Sequence, residues 1–135
     1  MPSVSRQSHH LALIALLLSL GATLILAGCS TLGPASAQVQ AVGGDPQRGA
    51  QAIIRNGCGS CHMIPGINGA NGLIGPPLIH WSRRGFIGGE LQNTPDNLIA
   101  WLKNPQAVEP NTDMPNLNLS DEDARDIASY LYTIR

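Results

Sequence analysis

Cys58-Gly59-Ser60-Cys61-His62 places two thiols three positions apart and an imidazole directly after the second. Three chemistries use a Cys-x-x-Cys pair. A thioredoxin-like redox motif needs a βαβ pattern around it, and none is visible in this chain. A zinc site wants four ligands. Outside the amino-terminal stretch the chain offers His80 as its one further histidine, and Cys29 has another explanation. The third chemistry is covalent attachment of a c-type haem, whose spacing is Cys-x-x-Cys-His. Each sulfur adds across one porphyrin vinyl group, and the adjoining His62 lies under the ring as proximal iron ligand.

A sixth ligand for the iron is the next requirement. Met63 adjoins the proximal histidine and cannot reach the opposite face of a ring. Met114 sits in Pro110-Asn111-Thr112-Asp113-Met114-Pro115, a polar, proline-flanked segment where a methionine makes a poor core residue, so ligation is the better reading. Thioether sulfur favours iron(II) and raises the reduction potential. His80 is the rival ligand and reads as a surface or haem-edge residue.

The elements that must position these groups are short. Asp45-Pro46 sets up an N-cap and first position for a helix through Ile54, with Gly49 and Ile53 on one face. Thr94-Pro95-Asp96 opens a second helix that runs to Lys103 and stops at Asn104-Pro105, with Leu98, Trp101 and Leu102 on one side. Ser120 opens a third, in which Ile127, Tyr130, Leu131 and Ile134 form an apolar stripe. A glycine on the first helix and an aromatic on the last suit a close crossing; the alternative is that each packs separately on the haem. Residues 66–75 hold four glycines and two asparagines and read as an exposed loop.

Ahead of this region, Arg6 and the apolar run Leu11–Ala27 read as an export signal. The run ends Leu26-Ala27-Gly28-Cys29, which resembles a bacterial lipoprotein signal, with Cys29 lipidated as the first mature residue. Ala35-Ser36-Ala37 offers a competing cut, and retention of the run as a membrane anchor is a third reading. All three place the following domain outside the cytoplasm, on the periplasmic side of a bacterial membrane. The reading is therefore a signal peptide over 1–28, a flexible tether over 29–44, and one domain over 45–135. From Ser30 onward seven basic and nine acidic side chains give a net charge of −2. There is no basic tract, so nucleic acid is excluded as a partner. A domain of about ninety residues buries little surface on its own, and one covalent haem supplies the missing core.

Taken in order, Gly49/Ile53, Cys58-x-x-Cys61-His62, Gly75-Pro76-Pro77-Leu78, the Leu98–Leu102 helix with Asn104-Pro105, Met114-Pro115 and Ile127–Tyr130–Leu131 resemble the class I cytochromes c over Asp45–Arg135. The resemblance implies an all-α fold, three main helices and loops wrapped around one haem c with His62 and Met114 as axial ligands. It further implies that the Pro76 carbonyl accepts the His62 ring N–H, that Trp101 packs on the haem, and that Trp81, Arg83 and Arg84 lie near the propionates. The chain departs from lysine-rich mitochondrial members in having one lysine, and its Ile64–Ile74 loop is unusual.

An iron with two protein ligands has no open position for substrate, which implies an electron carrier rather than an enzyme. The expected partners are redox proteins: a dehydrogenase or respiratory complex on one side, a terminal oxidase or reductase on the other. The rival readings are a fixed haem subunit of such a complex, or a sensor or peroxidase-like enzyme with a labile Met114. Mass spectrometry of membrane-extracted protein should find an acylated Cys29 at the mature amino terminus; a soluble form starting at Gln38 would instead establish the Ala35-Ser36-Ala37 cut.

Overall fold

The computed structural model describes residues 34–135, with side chains from residue 37 onward. Cys29, the apolar run and the signal-peptide reading lie outside the described residues. Among the described residues five α-helices appear in order: α1 (Pro34–Val42), α2 (Pro46–Arg55), α3 (Pro95–Lys103), α4 (Pro105–Val108) and α5 (Asp121–Thr133). The three main helices expected are α2, α3 and α5. Their caps are those the residues dictate. The Asp45 carboxylate accepts from the Gln47 and Arg48 N–H groups, Thr94 accepts from Asn97, and Ser120 accepts from Asp123.

The frame is a direct contact of α2 with α5. Gly49 is buried, and a methyl group in its place would lie 2.0 Å from the Asp126 carbonyl oxygen and 3.0 Å from Tyr130 Cβ. Only glycine lets the two backbones come this close, so the helices cross rather than pack separately. Beside the crossing, Asp126 is 2% exposed. Its carboxylate accepts from the Asp45 N–H at 2.7 Å and from Arg48 Nε and a terminal guanidinium nitrogen at 2.7 and 3.0 Å. Burial alone would raise the Asp126 pKa, but the Arg48 and Asp45 donors hold it below the usual carboxylate value.

Two departures from the sequence reading have physical causes. The stretch read as a flexible tether contains α1 over Pro34–Val42, ended by Gly43 at φ +69°. Val42 is 5% exposed and Val39 packs on the same core. These two valines are three residues apart, so they form a stripe once the chain is helical and α5 is there to receive it. In a run of small polar residues that pair is too sparse to read as a helix. The second departure is a hairpin, β1 (Phe86–Ile87) antiparallel to β2 (Leu91–Gln92), with Ile87 opposite Leu91. Gly88 and Gly89, both at positive φ, make its turn.

Asp126→Ala should destabilise the protein by about 1–3 kcal/mol, because the Asp45 N–H loses its partner in a part-buried position. Since the native pKa is depressed, the Asp126 contribution is present above the ordinary carboxylate pKa and is lost as pH falls through the native one. Denaturant unfolding against pH should therefore show the gap between wild type and variant closing on acidification.

Candidate haem site

At the end of α2, Asn56 accepts the role of cap and Gly57, at φ +68°, turns the chain into the 3₁₀ turn Cys58–Ser60. The His62 N–H donates to the Cys58 carbonyl at 3.0 Å, and the Cys61 N–H reaches the same oxygen at 3.3 Å. One tight turn thus brings both thiols and the imidazole to one cavity. Neither thiol is in a disulfide, and burial pushes the Cys58 thiol above its ordinary pKa.

The segment after the glycine-rich loop runs alongside. The Gly75 N–H donates to Cys61 O at 2.8 Å, and the Leu78 N–H donates to Met63 O at 2.8 Å. Between these two bonds, the Pro76 carbonyl lies 2.7 Å from His62 Nδ1. A carbonyl only accepts, so Nδ1 carries the proton and Nε2 keeps its lone pair for a metal. A methyl group on Gly75 would sit 2.3 Å from His62 Cε1. Glycine at 75 is what lets this segment approach the ring.

Cys58, Cys61, His62, Pro76, Trp101 and Met114 all line one cavity of about 640 Å³, a size proper to a cofactor site. Met63 and His80, the rival sixth ligands, do not line it. His80 instead borders a separate surface cleft with Tyr130. Leu98, Leu102, Ile127 and Leu131 complete much of the cavity wall, and its lining is mainly apolar.

The polar groups also suit a haem. Trp81 lines the cavity and is buried, and its indole Nε1–H has no hydrogen-bond partner among the protein atoms. Arg84 lies 5.1 Å over the Trp81 ring, and burial lowers its guanidinium pKa. An unpartnered donor beside a half-buried cation fits a carboxylate-bearing ligand. Arg83, expected in the same role, is exposed and does not line the cavity. Asn93 was not legible as part of this site. Its amide donates to Trp81 O at 3.0 Å and Arg84 O at 3.1 Å, and its carbonyl accepts from the Tyr132 hydroxyl at 2.9 Å. It pins the turn that carries both groups.

The other uses of a Cys-x-x-Cys pair do not fit. Among the described residues no three His, Cys, Asp or Glu side chains are grouped to hold a metal ion. The two-stranded hairpin is the sheet present among them, with no βαβ unit.

The cytochrome c family model matches residues 46–135. The chain belongs to the cytochrome c family. It accordingly carries covalently bound haem c, a group used for electron transfer. Cytochrome c oxidase subunit 2 of Alkalihalophilus pseudofirmus is 32% identical over 89 residues, 65% of this chain and 25% of that protein. The chain thus spans a quarter of the length of this relative. No solved structure matches it significantly. Helix α1 precedes the family match.

Replacing Gly75 by alanine should destabilise the haem-loaded protein by about 1–3 kcal/mol, the usual range for overpacking a close contact. Gly85→Ala should stay within about 0.5 kcal/mol, since nothing lies within 4 Å of its added methyl group. Thermal unfolding of the two variants side by side checks the contrast.

Proposed function

We propose that the protein is a one-electron carrier, with haem c joined to Cys58 and Cys61 and its iron held by His62 and Met114. The observation that carries this reading is that His62, with its Nε2 lone pair free, and Met114 border the same cavity, while Met63 and His80 do not. The bound haem supplies one-electron iron chemistry, and methionine ligation favours the reduced state. The chain's own residues bind and orient. The Pro76 carbonyl fixes the His62 tautomer and raises its basicity, Trp101 gives a flat apolar wall, and Trp81 and Arg84 would hold the propionates.

Ile74 and Phe86 line the cavity that the haem would fill. Leu73 is exposed beside Ile74. The chain's one lysine, Lys103, is ion-paired with Asp121. These features support docking to a redox partner through an apolar face rather than through a lysine ring. A terminal oxidase is the favoured acceptor, because the relative found is named as an oxidase subunit. The same likeness favours, as a second reading, a haem subunit held within such a complex.

The leader supports export and a lipid anchor at Cys29, on the periplasmic side of a bacterial membrane. Processing there leaves α1 whole, whereas a cut after Ala37 removes its first turn. Among the described residues no helix is long and apolar enough to cross a membrane.

Met114→Ala should abolish the weak far-red ferric band of a thioether–iron bond, lower the potential and admit carbon monoxide to the reduced protein. Met63→Ala and His80→Ala should do none of these. Haem staining after denaturing electrophoresis should persist in all three variants and vanish when Cys58 and Cys61 are both replaced by alanine. A dominant effect at Met63 or His80 would overturn the assignment of the sixth ligand.

A further inference from the structure

Met114 lies in a segment without regular structure, yet side chains hold both of its backbone polar groups. Gln106 Nε2 donates to the Met114 carbonyl at 2.6 Å. The Met114 N–H donates to Thr112 Oγ1 at 3.3 Å. Gln106 stands on α4, a single turn whose position is fixed at its start. Asn104 ends α3 and also caps α4, accepting from the Ala107 N–H at 3.3 Å, and Pro105 is buried.

The chain between α4 and Met114 is closed by its own bonds. The Glu109 N–H donates to Pro105 O at 2.9 Å, the Thr112 N–H donates to Glu109 O at 3.0 Å, and the Glu109 carboxylate accepts from Asn111 N–H at 2.9 Å. The Gln106 amide then joins the last residue of this loop back to its first turn. Its base, α3, presents Leu98, Trp101 and Leu102 to the cavity that Met114 also lines. The loop and the cavity wall are therefore tied together through Gln106.

A thioether is a neutral, weak ligand that reaches a metal through three freely rotating bonds. A loop that orders only when the thioether binds would lose backbone entropy at that moment, against the weak bond it gains. Fixing the Met114 backbone beforehand removes that opposing term without any contact to the sulfur. Glutamine can do this because its amide is an uncharged donor long enough to span from α4 to the carbonyl.

We propose that Gln106 is a positioning residue for Met114: its amide clamps the ligand's carbonyl and keeps the sixth iron position closed. The proposal rests on Met114 being the distal ligand. It identifies what holds the site as an electron carrier rather than as a centre open to small molecules.

The test uses the full-length, haem-loaded chain as wild type, Gln106→Ala and Gln106→Glu. Glutamate keeps the length of the side chain and at neutral pH has no donor. The readouts are the far-red ferric band, the rate at which carbon monoxide binds the reduced protein, and the thermal unfolding midpoint. Loss of an ordinary hydrogen bond should raise the open population, and with it the carbon monoxide rate, about five- to tenfold in both variants. The far-red band should weaken in parallel. A wild-type protein that shows the band, with variants that bind carbon monoxide at the wild-type rate, would overturn the positioning role and leave the ligand assignment intact. A lowered unfolding midpoint with unchanged band and rate would do the same, by making Gln106 a purely structural residue. Absence of the band from wild type would remove Met114 as ligand, and the clamp with it.

Discussion

Apolar side chains that bury themselves against the haem pocket as well as against one another are the constraint on which this domain depends. Leu98, Leu102, Ile127 and Leu131 are all buried, and every one of them also lines the cavity. The core is thus shared between the chain and its prosthetic group. A domain of about a hundred residues gains from this, because its surface-to-volume ratio leaves little room for a separate core. The α2–α5 crossing at Gly49 holds the frame, and α3 packs against α5. Ile53 of α2 and Ile127 and Leu131 of α5 line the pocket, so the crossing helices are also its walls.

The side-chain contacts that hold the Trp81–Arg84 turn keep one protonation state through the neutral range. The Tyr132 phenol is pushed up to about 12 by burial, so it remains a donor to Asn93 throughout the neutral range. Asn93 in turn holds the Trp81–Arg84 turn by two backbone carbonyls. His62 is oriented by a backbone carbonyl rather than a titrating carboxylate. Neither the Tyr132 phenol nor the Asn93 amide changes charge over ordinary pH, which suits a group whose work is to change charge on the iron and little else.

Much of the site was legible in the sequence because its residues are punctuated by local chemistry. The Cys58–His62 spacing, the Asp45-Pro46 and Thr94-Pro95 caps, and Met114 beside Pro115 are all short-range signals. The Pro76 contact came from the family resemblance, and the geometry then placed its carbonyl on His62. What was not legible depends on partners distant in the chain. Val39 and Val42 mean nothing until α5 lies beside them. Asn93 gives no sign of reaching Tyr132, 39 positions away. Gln106 looks like any surface glutamine after a proline until Met114 folds back over α4. Asp126, in a run of acids opening α5, reads as a solvated charge until the crossing buries it against Asp45 and Arg48.

The central claim is that the protein closes both axial positions of the iron, using His62 on one side and Met114 on the other. Proton–carbon NMR of the reduced, haem-loaded protein labelled at its methionine methyl groups tests it most directly. A methyl bonded through sulfur to the iron lies over the porphyrin and is displaced far upfield by the ring current. The Met114 methyl should show that displacement, and the exposed Met63 methyl should not. A Met114 methyl at its ordinary position, or the displacement appearing at Met63, would contradict the account.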